Sequence, residues 1–352
     1  MSGHFLTDNY WRQGDNNRLP IQNPSGKTLE KCPASNKFLA NIGSHRNNIP
    51  MFDSVKSTIE GLAAQKYIAS EEIATTVYLA LKMEKPILVE GPAGVGKTEL
   101  GKCIASALNM DLIRLQCYEG LDESKALYEW EYAKQLLYTQ ILKDKLSAIM
   151  QHEATMAKAV ERLSKEDDVF FSNKFLLPRP ILKAITSTNR SLLLLDEIDK
   201  SDSEFEAFLL EVLSDFQVSI PEIGTIRAET KPVVFLTSNN AREMSDALKR
   251  RCLHLYIDYP SRELEERIVS LKVPQCGEKL RTDVVRAVHK IRELQLKKEP
   301  SISETLDWAQ ALVILGINDL THDVAVETLN CILKYEKDID HAKKNSRNIF
   351  VH

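Results

Sequence analysis

The sequence predicts an α/β fold: a five-stranded parallel sheet sandwiched by helices, followed by an all-helical domain. Three observations carry this. Short apolar runs alternate with stretches of helical spacing, the pattern that builds a parallel sheet. One of these runs leads straight into a glycine-rich turn of the phosphate-binding type. From Ser261 onward the strand-like runs stop and only helical periodicity is left.

Ile87-Leu88-Val89 has the length of a buried strand. The next residues of note, Gly91, Pro92, Ala93, Gly94, Val95, Gly96, Lys97 and Thr98, fill the pattern G-x-x-x-x-G-K-S/T. Its glycines let the backbone turn tightly and present N–H groups to an anion. Lys97 is placed to reach the β- and γ-phosphates of a nucleotide, and the Thr98 hydroxyl to bind Mg²⁺. Glu99 to Leu108 reads as a helix whose N-terminus adds a favourable dipole. The bland alternative is a glycine-rich turn with no ligand. A strand before, a helix after and every fixed position filled favour nucleotide binding.

Upstream, residues 1–50 lack periodicity and are rich in Asn, Gly, Ser and Pro, as in an extended, partly disordered arm. Residues 51–84 read as helical. Ser70 caps the second helix, Glu71 and Glu72 fill its first turn, and Ile73, Val77 and Leu81 recur on one face. Downstream, Asp111 to Cys117 reads as a second strand. Residues 121–178 interrupt the pattern with helical runs over 129–150 and 154–163 and a charged spacer at 164–168. An amphipathic hairpin and a partner-binding insertion both remain open there.

Leu192 to Leu195 form a third, fully buried strand that ends in Asp196 and Glu197. Ligands bind beyond the carboxyl ends of parallel strands, so Asp196 is placed to hold Mg²⁺ and Glu197 to polarise a water. Phe205 to Leu213 is apolar at helical spacing. Gln217 to Ile226 alternates around Pro221-Glu222-Ile223-Gly224, the mark of a hairpin. Pro232 to Ser238 is the fourth strand. Asn239 at its end either orients the attacking water or caps the next turn. A short helix ends in Arg250-Arg251, and Leu253 to Asp258 is the fifth strand. Four helices are expected at 261–271, 282–296, 301–315 and 321–336, with a frayed polar tail over 337–352. The division is therefore an arm (1–50), an α/β domain (51–260) and a helical domain (261–352).

The chain has 352 residues, 43% hydrophobic and 27% charged, as in a soluble globular protein of two domains with an extension. A net charge of −4 gives no general attraction to nucleic acid. No apolar run reaches the length of a membrane span, and residues 1–20 lack a signal-peptide core. The six cysteines are scattered with no CxxC pair. They read as reduced core cysteines of a cytoplasmic protein.

Taken together, Gly-Pro-Ala-Gly-Val-Gly-Lys-Thr (91–98), Leu-Leu-Leu-Leu-Asp-Glu-Ile-Asp (192–199), Phe-Leu-Thr-Ser-Asn (235–239) and Ala-Leu-Lys-Arg-Arg-Cys (247–252) resemble the AAA+ ATPases, and within them the MoxR family. Tyr-Glu-Trp (128–130) and the stretch Phe208 to Val218 are most similar to MoxR-type accessory ATPases encoded with carbon monoxide dehydrogenases. The resemblance spans roughly residues 51–333. It implies a P-loop NTPase fold with a helical lid, ATP and Mg²⁺ as ligands, Lys97 and Thr98 as the phosphate-loop pair, Asp196 on the metal and Glu197 as base. It also implies Asn239 as the first sensor and Arg251 as a finger entering a neighbouring subunit's site, in a hexameric ring. Arg250 points about 100° away on the same helix. The resemblance places the 121–178 stretch at a helix-2 insertion, and the hairpin before the first sensor. Many AAA+ proteins open a lid helix with an Arg that touches the nucleotide. Here Ser301 and Glu304 make a capping box instead, and no residue is assigned as second sensor.

The function expected from this resemblance is ATP-driven remodelling of a protein partner in metalloenzyme maturation or cofactor insertion, alongside a von Willebrand factor A domain protein. A nucleic-acid motor or loader of the same superfamily is the alternative, but the sequence shows no basic stripe or base-stacking platform. A module that binds ATP only structurally would not need Glu197 and Arg251.

Overall fold

The structure, a computed structural model, describes residues 52–137, 140, 175–221 and 223–350. The N-terminal arm and most of the 121–178 insertion lie outside these described residues. In chain order the strands are β1 (Ile87–Glu90), β2 (Asp111–Gln116), β3 (Tyr128–Trp130), β4 (Leu176–Pro178), β5 (Ser191–Asp196), β6 (Gln217–Ile220), β7 (Gly224–Arg227), β8 (Val233–Ser238) and β9 (Leu253–Tyr256). Five of them make the predicted sheet in the order β2-β5-β8-β1-β9. Every pairing in it is parallel.

The leucine run of β5 explains why this strand is interior. Its side chains alternate across the sheet, as the period of two requires. Leu193 and Leu195 enter one apolar layer with Ile181, Phe205 and Leu209. Leu192 and Leu194 enter the other with Leu62, Leu100 and Ile104. All four are fully buried, and each burial contributes about 1.5–3 kcal/mol. The helices Val55–Ala64, Glu71–Met83 and Lys97–Ala107 cover one face; Pro180–Ile185 and Ser203–Asp215 cover the other. The Ser70 cap forms as expected, accepting from the Ile73 N–H at 3.2 Å. Register places Gln116 beside Asp196 and Glu90 beside Ser238, so the strand ends that matter lie along one edge.

Three local expectations are corrected. Glu129 and Trp130 are not helical: β3 pairs antiparallel with β4, and Arg179 clamps Glu129 across the pair. Tyr128 and Trp130 are aromatic residues that suit a strand, and the helical periodicity does not extend this far toward the N-terminus. The fourth C-terminal helix is not continuous. It stops at Thr328, gives one 3₁₀ turn at Leu329–Cys331, and resumes as Glu336–Lys344 and Ser346–Phe350. The tail is therefore folded through Phe350. Ile349 and Phe350 are buried in the same apolar cluster as Trp308 and Ile291. Asp338 adds polar anchoring by accepting the Lys297 and Lys298 N–H groups at 3.0 and 3.3 Å. The hairpin expected around residues 221–224 is present as the β6–β7 pair.

Candidate nucleotide site

The site begins where β1 ends. The Ile257 N–H donates to the Glu90 carbonyl at 2.9 Å, which draws the chain after β9 over the start of the phosphate loop. Gly91 lies there at φ 146°, and a Cβ on it would sit 1.9 Å from the Ile257 carbonyl oxygen. No side chain fits at this position. The loop then turns into the helix Lys97–Ala107, whose first N–H groups face the loop.

Lys97 folds back onto the loop. Its Nζ donates to the Gly91 and Pro92 carbonyls at 2.7 and 2.6 Å, and the residue is only 5% exposed. Burial lowers its pKa to about 8, against the opposing pull of Asp199, Asp196 and Glu197. Thr98 Oγ1 donates to Asp196 Oδ1 at 2.8 Å, so the two residues expected on Mg²⁺ meet. Their donor set is a hydroxyl and a carboxylate, hard oxygens that suit Mg²⁺. Among the described residues no group of three or more His, Cys, Asp or Glu could form an all-protein cage.

Glu197 leaves the strand line at φ 56°, with its N–H on Thr237 Oγ1 at 2.9 Å. Its carboxylate accepts from Asn239 Nδ2 at 3.3 Å and from Gln116 Nε2 at 2.9 Å, and pairs with Lys200 at 2.5 Å. The structure thus gathers Lys97, Thr98, Asp196, Glu197 and Asn239. It does not bring in Arg251, whose partners are Ser214 Oγ at 2.5 Å and the Ala247 carbonyl at 2.8 Å. Arg250 is exposed.

Sequence reasoning missed four residues of this site. Thr237 Oγ1 donates to Asp196 Oδ1 at 2.6 Å. Arg114 and Gln116 reach the two carboxylates from β2, and Lys200 reaches Glu197 from one turn on. The usable signal was the alternation Arg114-Leu115-Gln116 at the end of a predicted strand, which puts two polar side chains on one face.

Beside the loop lies a cavity of about 760 Å³, within the range of small-molecule sites. Tyr67, Ile68, Val95, Tyr259, Ile302 and Ser303 are among its lining residues. The helix Ile302–Ile314 starts against the loop: Ser303 Oγ lies 3.5 Å from the Gly94 carbonyl. The capping box of Ser301 and Glu304 is formed. No arginine opens this helix.

Residues 86–252 match the AAA domain, dynein-related subfamily. This stretch carries an AAA domain. It contains the phosphate loop, Asp196, Glu197, Asn239 and Arg251. A Lon protease of Cytophaga hutchinsonii is 25% identical over 267 residues, which is 73% of this chain and 26% of that protein. The chain thus spans about a quarter of that relative's length. Among solved structures, a point mutant of Thermotoga maritima RuvB aligns with a TM-score of 0.43 and 17% identity, covering 79% of this chain and 72% of that one. The T. maritima RuvB Holliday junction branch migration motor aligns at 0.41 and 17%, covering 80% and 72%. No function transfers from them at this level of similarity. Among the described residues no helix is long and apolar enough to cross a membrane.

Proposed function

We propose that this chain is an ATP-hydrolysing AAA+ chaperone of the MoxR type that works as a homo-oligomeric, hexameric ring and remodels a protein partner. One observation carries the ATPase reading: Thr98 and Asp196 share a hydrogen bond of 2.8 Å, while Glu197, the next residue, faces Asn239. In this reading the phosphate-loop amides and Lys97 hold the phosphates. Thr98 and Asp196 hold Mg²⁺, which when bound neutralises charge on the β- and γ-phosphate oxygens. Glu197 takes the proton of the attacking water and Asn239 orients that water. Arg251 serves the site of the next subunit, which agrees with its place away from its own phosphate loop. The helices after residue 261 act as the lid.

The protein partner rests on the resemblance of residues 128–130 and 208–218 to MoxR-type accessory ATPases. The client reading is metalloenzyme maturation or cofactor insertion, with a von Willebrand factor A domain protein alongside. Calorimetric titration of ATP into wild type and Lys97→Ala tests the site. Wild type binds, and the variant loses tight binding because the charge on the β- and γ-phosphates is unopposed. Equal affinity would remove the loop as the nucleotide site. Turnover measured alone, with DNA and with a candidate protein partner tests the client class, and stimulation by DNA alone would overturn the chaperone reading.

A further inference from the structure

Asp196 and Glu197 are linked through the neighbouring strand. Arg114 and Gln116 lie two residues apart on β2 and so stand on the same face. Arg114 Nε and Nη2 donate to Asp196 Oδ2 at 3.0 and 2.5 Å, and Nη2 also donates to Gln116 Oε1 at 2.7 Å. A guanidinium can only donate and a carboxylate can only accept. The amide of Gln116 serves both in a single orientation, oxygen toward Arg114 and Nε2 toward Glu197. Gln116 therefore braces Arg114 against Asp196.

The other oxygen of Asp196 is also taken, by the hydroxyls of Thr98 and Thr237 at 2.8 and 2.6 Å. Its side chain is 3% exposed. A buried carboxylate of this kind requires a nearby opposite charge. Arg114 supplies it, and at 45% exposure its own side chain has solvent to move into. Arg114 and a divalent cation cannot both sit on Oδ2 without repelling one another.

We propose that Arg114 is an internal counter-ion for Asp196, braced by Gln116, that gives up the carboxylate when a divalent cation binds with nucleotide. This rests on the ATPase reading above. Arg114 is then a positioning residue, and its presence sets how much cation the site needs. The test uses Mn²⁺ as the probe, with ADP held at the concentration of sites and free Mn²⁺ read by its electron paramagnetic resonance signal against a protein-free Mn²⁺–ADP control, so that only protein-dependent binding is counted and no turnover is involved. Arg114→Gln removes the competitor and is expected to tighten Mn²⁺ binding about tenfold. Arg114→Lys keeps a competing charge and stays within about threefold of wild type. Gln116→Ala removes the brace and tightens binding in the same direction as Arg114→Gln, by less. Unchanged or weaker Mn²⁺ binding in a folded Arg114→Gln overturns the displacement. Should that variant fail to fold, Gln116→Ala decides: tighter binding supports the displacement and unchanged binding overturns it. A wild type that binds no Mn²⁺ with ADP overturns the ATPase reading and the displacement with it. Normal wild-type binding with an indifferent Arg114→Gln overturns the displacement alone.

Discussion

Gly94→Ala probes the contact between the phosphate loop and the C-terminal helices. Gly94 sits at φ 77°, and a Cβ there would lie 2.1 Å from Ser301 Oγ and 2.6 Å from Ser301 Cβ. The left-handed backbone costs a side chain about 1–2 kcal/mol. Ser301 cannot swing aside freely, because its hydroxyl is engaged with Glu304 in the cap of the helix Ile302–Ile314. Losing that cap costs about 0.5–2 kcal/mol. Together the substitution should destabilise the protein by about 1.5–4 kcal/mol and weaken nucleotide binding, since the loop and the helix must part. Urea unfolding of four proteins measures it: wild type, Gly94→Ala, Ser301→Gly and the double variant. Ser301→Gly removes both clashing atoms, so the double variant should be more stable than the sum of the single effects. Additivity within about 0.5 kcal/mol, the behaviour of independent sites, would refute the contact. Wild-type stability in Gly94→Ala would refute both the strain and the clash.

Three further outcomes follow from the site. Glu197→Gln should bind ATP normally and lose turnover by about 10²–10⁴, since the amide cannot take a proton from water; a drop below about tenfold would show that Glu197 is not the base. Arg251→Ala should bind ATP but hydrolyse it poorly, with a loss of about 10³–10⁵, and mixing it with Glu197→Gln should restore some activity through interfaces where an intact Glu197 meets an intact Arg251. No rescue among subunits shown to exchange, together with a monomeric mass in the presence of ATP, would sink the shared site. Lys97, at about pKa 8 in the folded chain against 10.5 ordinarily, is neutral in the empty site above that pH while the unfolded chain still binds the proton. Stability should therefore rise with pH across this window, and nucleotide binding should take up protons at pH about 8.5 but not at about 6.5. Calorimetry in two buffers of different ionisation enthalpy reads this, and zero uptake at the higher pH would count against a charged Lys97 on phosphate.

The three central strands were legible as apolar runs, with Leu192 to Leu195 leaving no other reading, and the outer strands β2 and β9 as apolar residues alternating with polar ones. The phosphate loop was legible because its chemistry fixes residue type and spacing together. Arg114 and Gln116 were not, because their meaning depends on strand order. Only when β2 lies beside β5, with Gln116 opposite Asp196, do two polar residues in an ordinary strand become neighbours of both carboxylates. The tail misled for a related reason. Among its described residues, the apolar Ile339, Ala342, Ile349 and Phe350 are spread over two short helices broken at Asn345 and diluted by charge, yet Ala342, Ile349 and Phe350 are buried and hold the tail. The Arg251 contact with Ser214 joins residues 37 positions apart and has no local signature.

Asp196 and Glu197 are adjacent carboxylates with different tasks in the proposed reading, and the backbone separates them. Asp196 is the last residue of β5, where ladder geometry and four donated hydrogen bonds hold it still. Glu197 is the first residue off the strand, at φ 56°, a conformation that costs a non-glycine residue on the order of 1 kcal/mol. Had the chain stayed extended, alternation would have sent Glu197 to the opposite side from Asp196. The left-handed turn instead brings its carboxylate to Asn239, at the end of the next strand. Glycine at 197 would relieve the strain but would remove the proton acceptor. In the proposed reading the strain is retained at the proton acceptor, and Thr237 offsets part of it by accepting the Glu197 N–H while also donating to Asp196. A single hydroxyl thus ties the carboxylate assigned to the metal to the turn that aims the carboxylate assigned to the water.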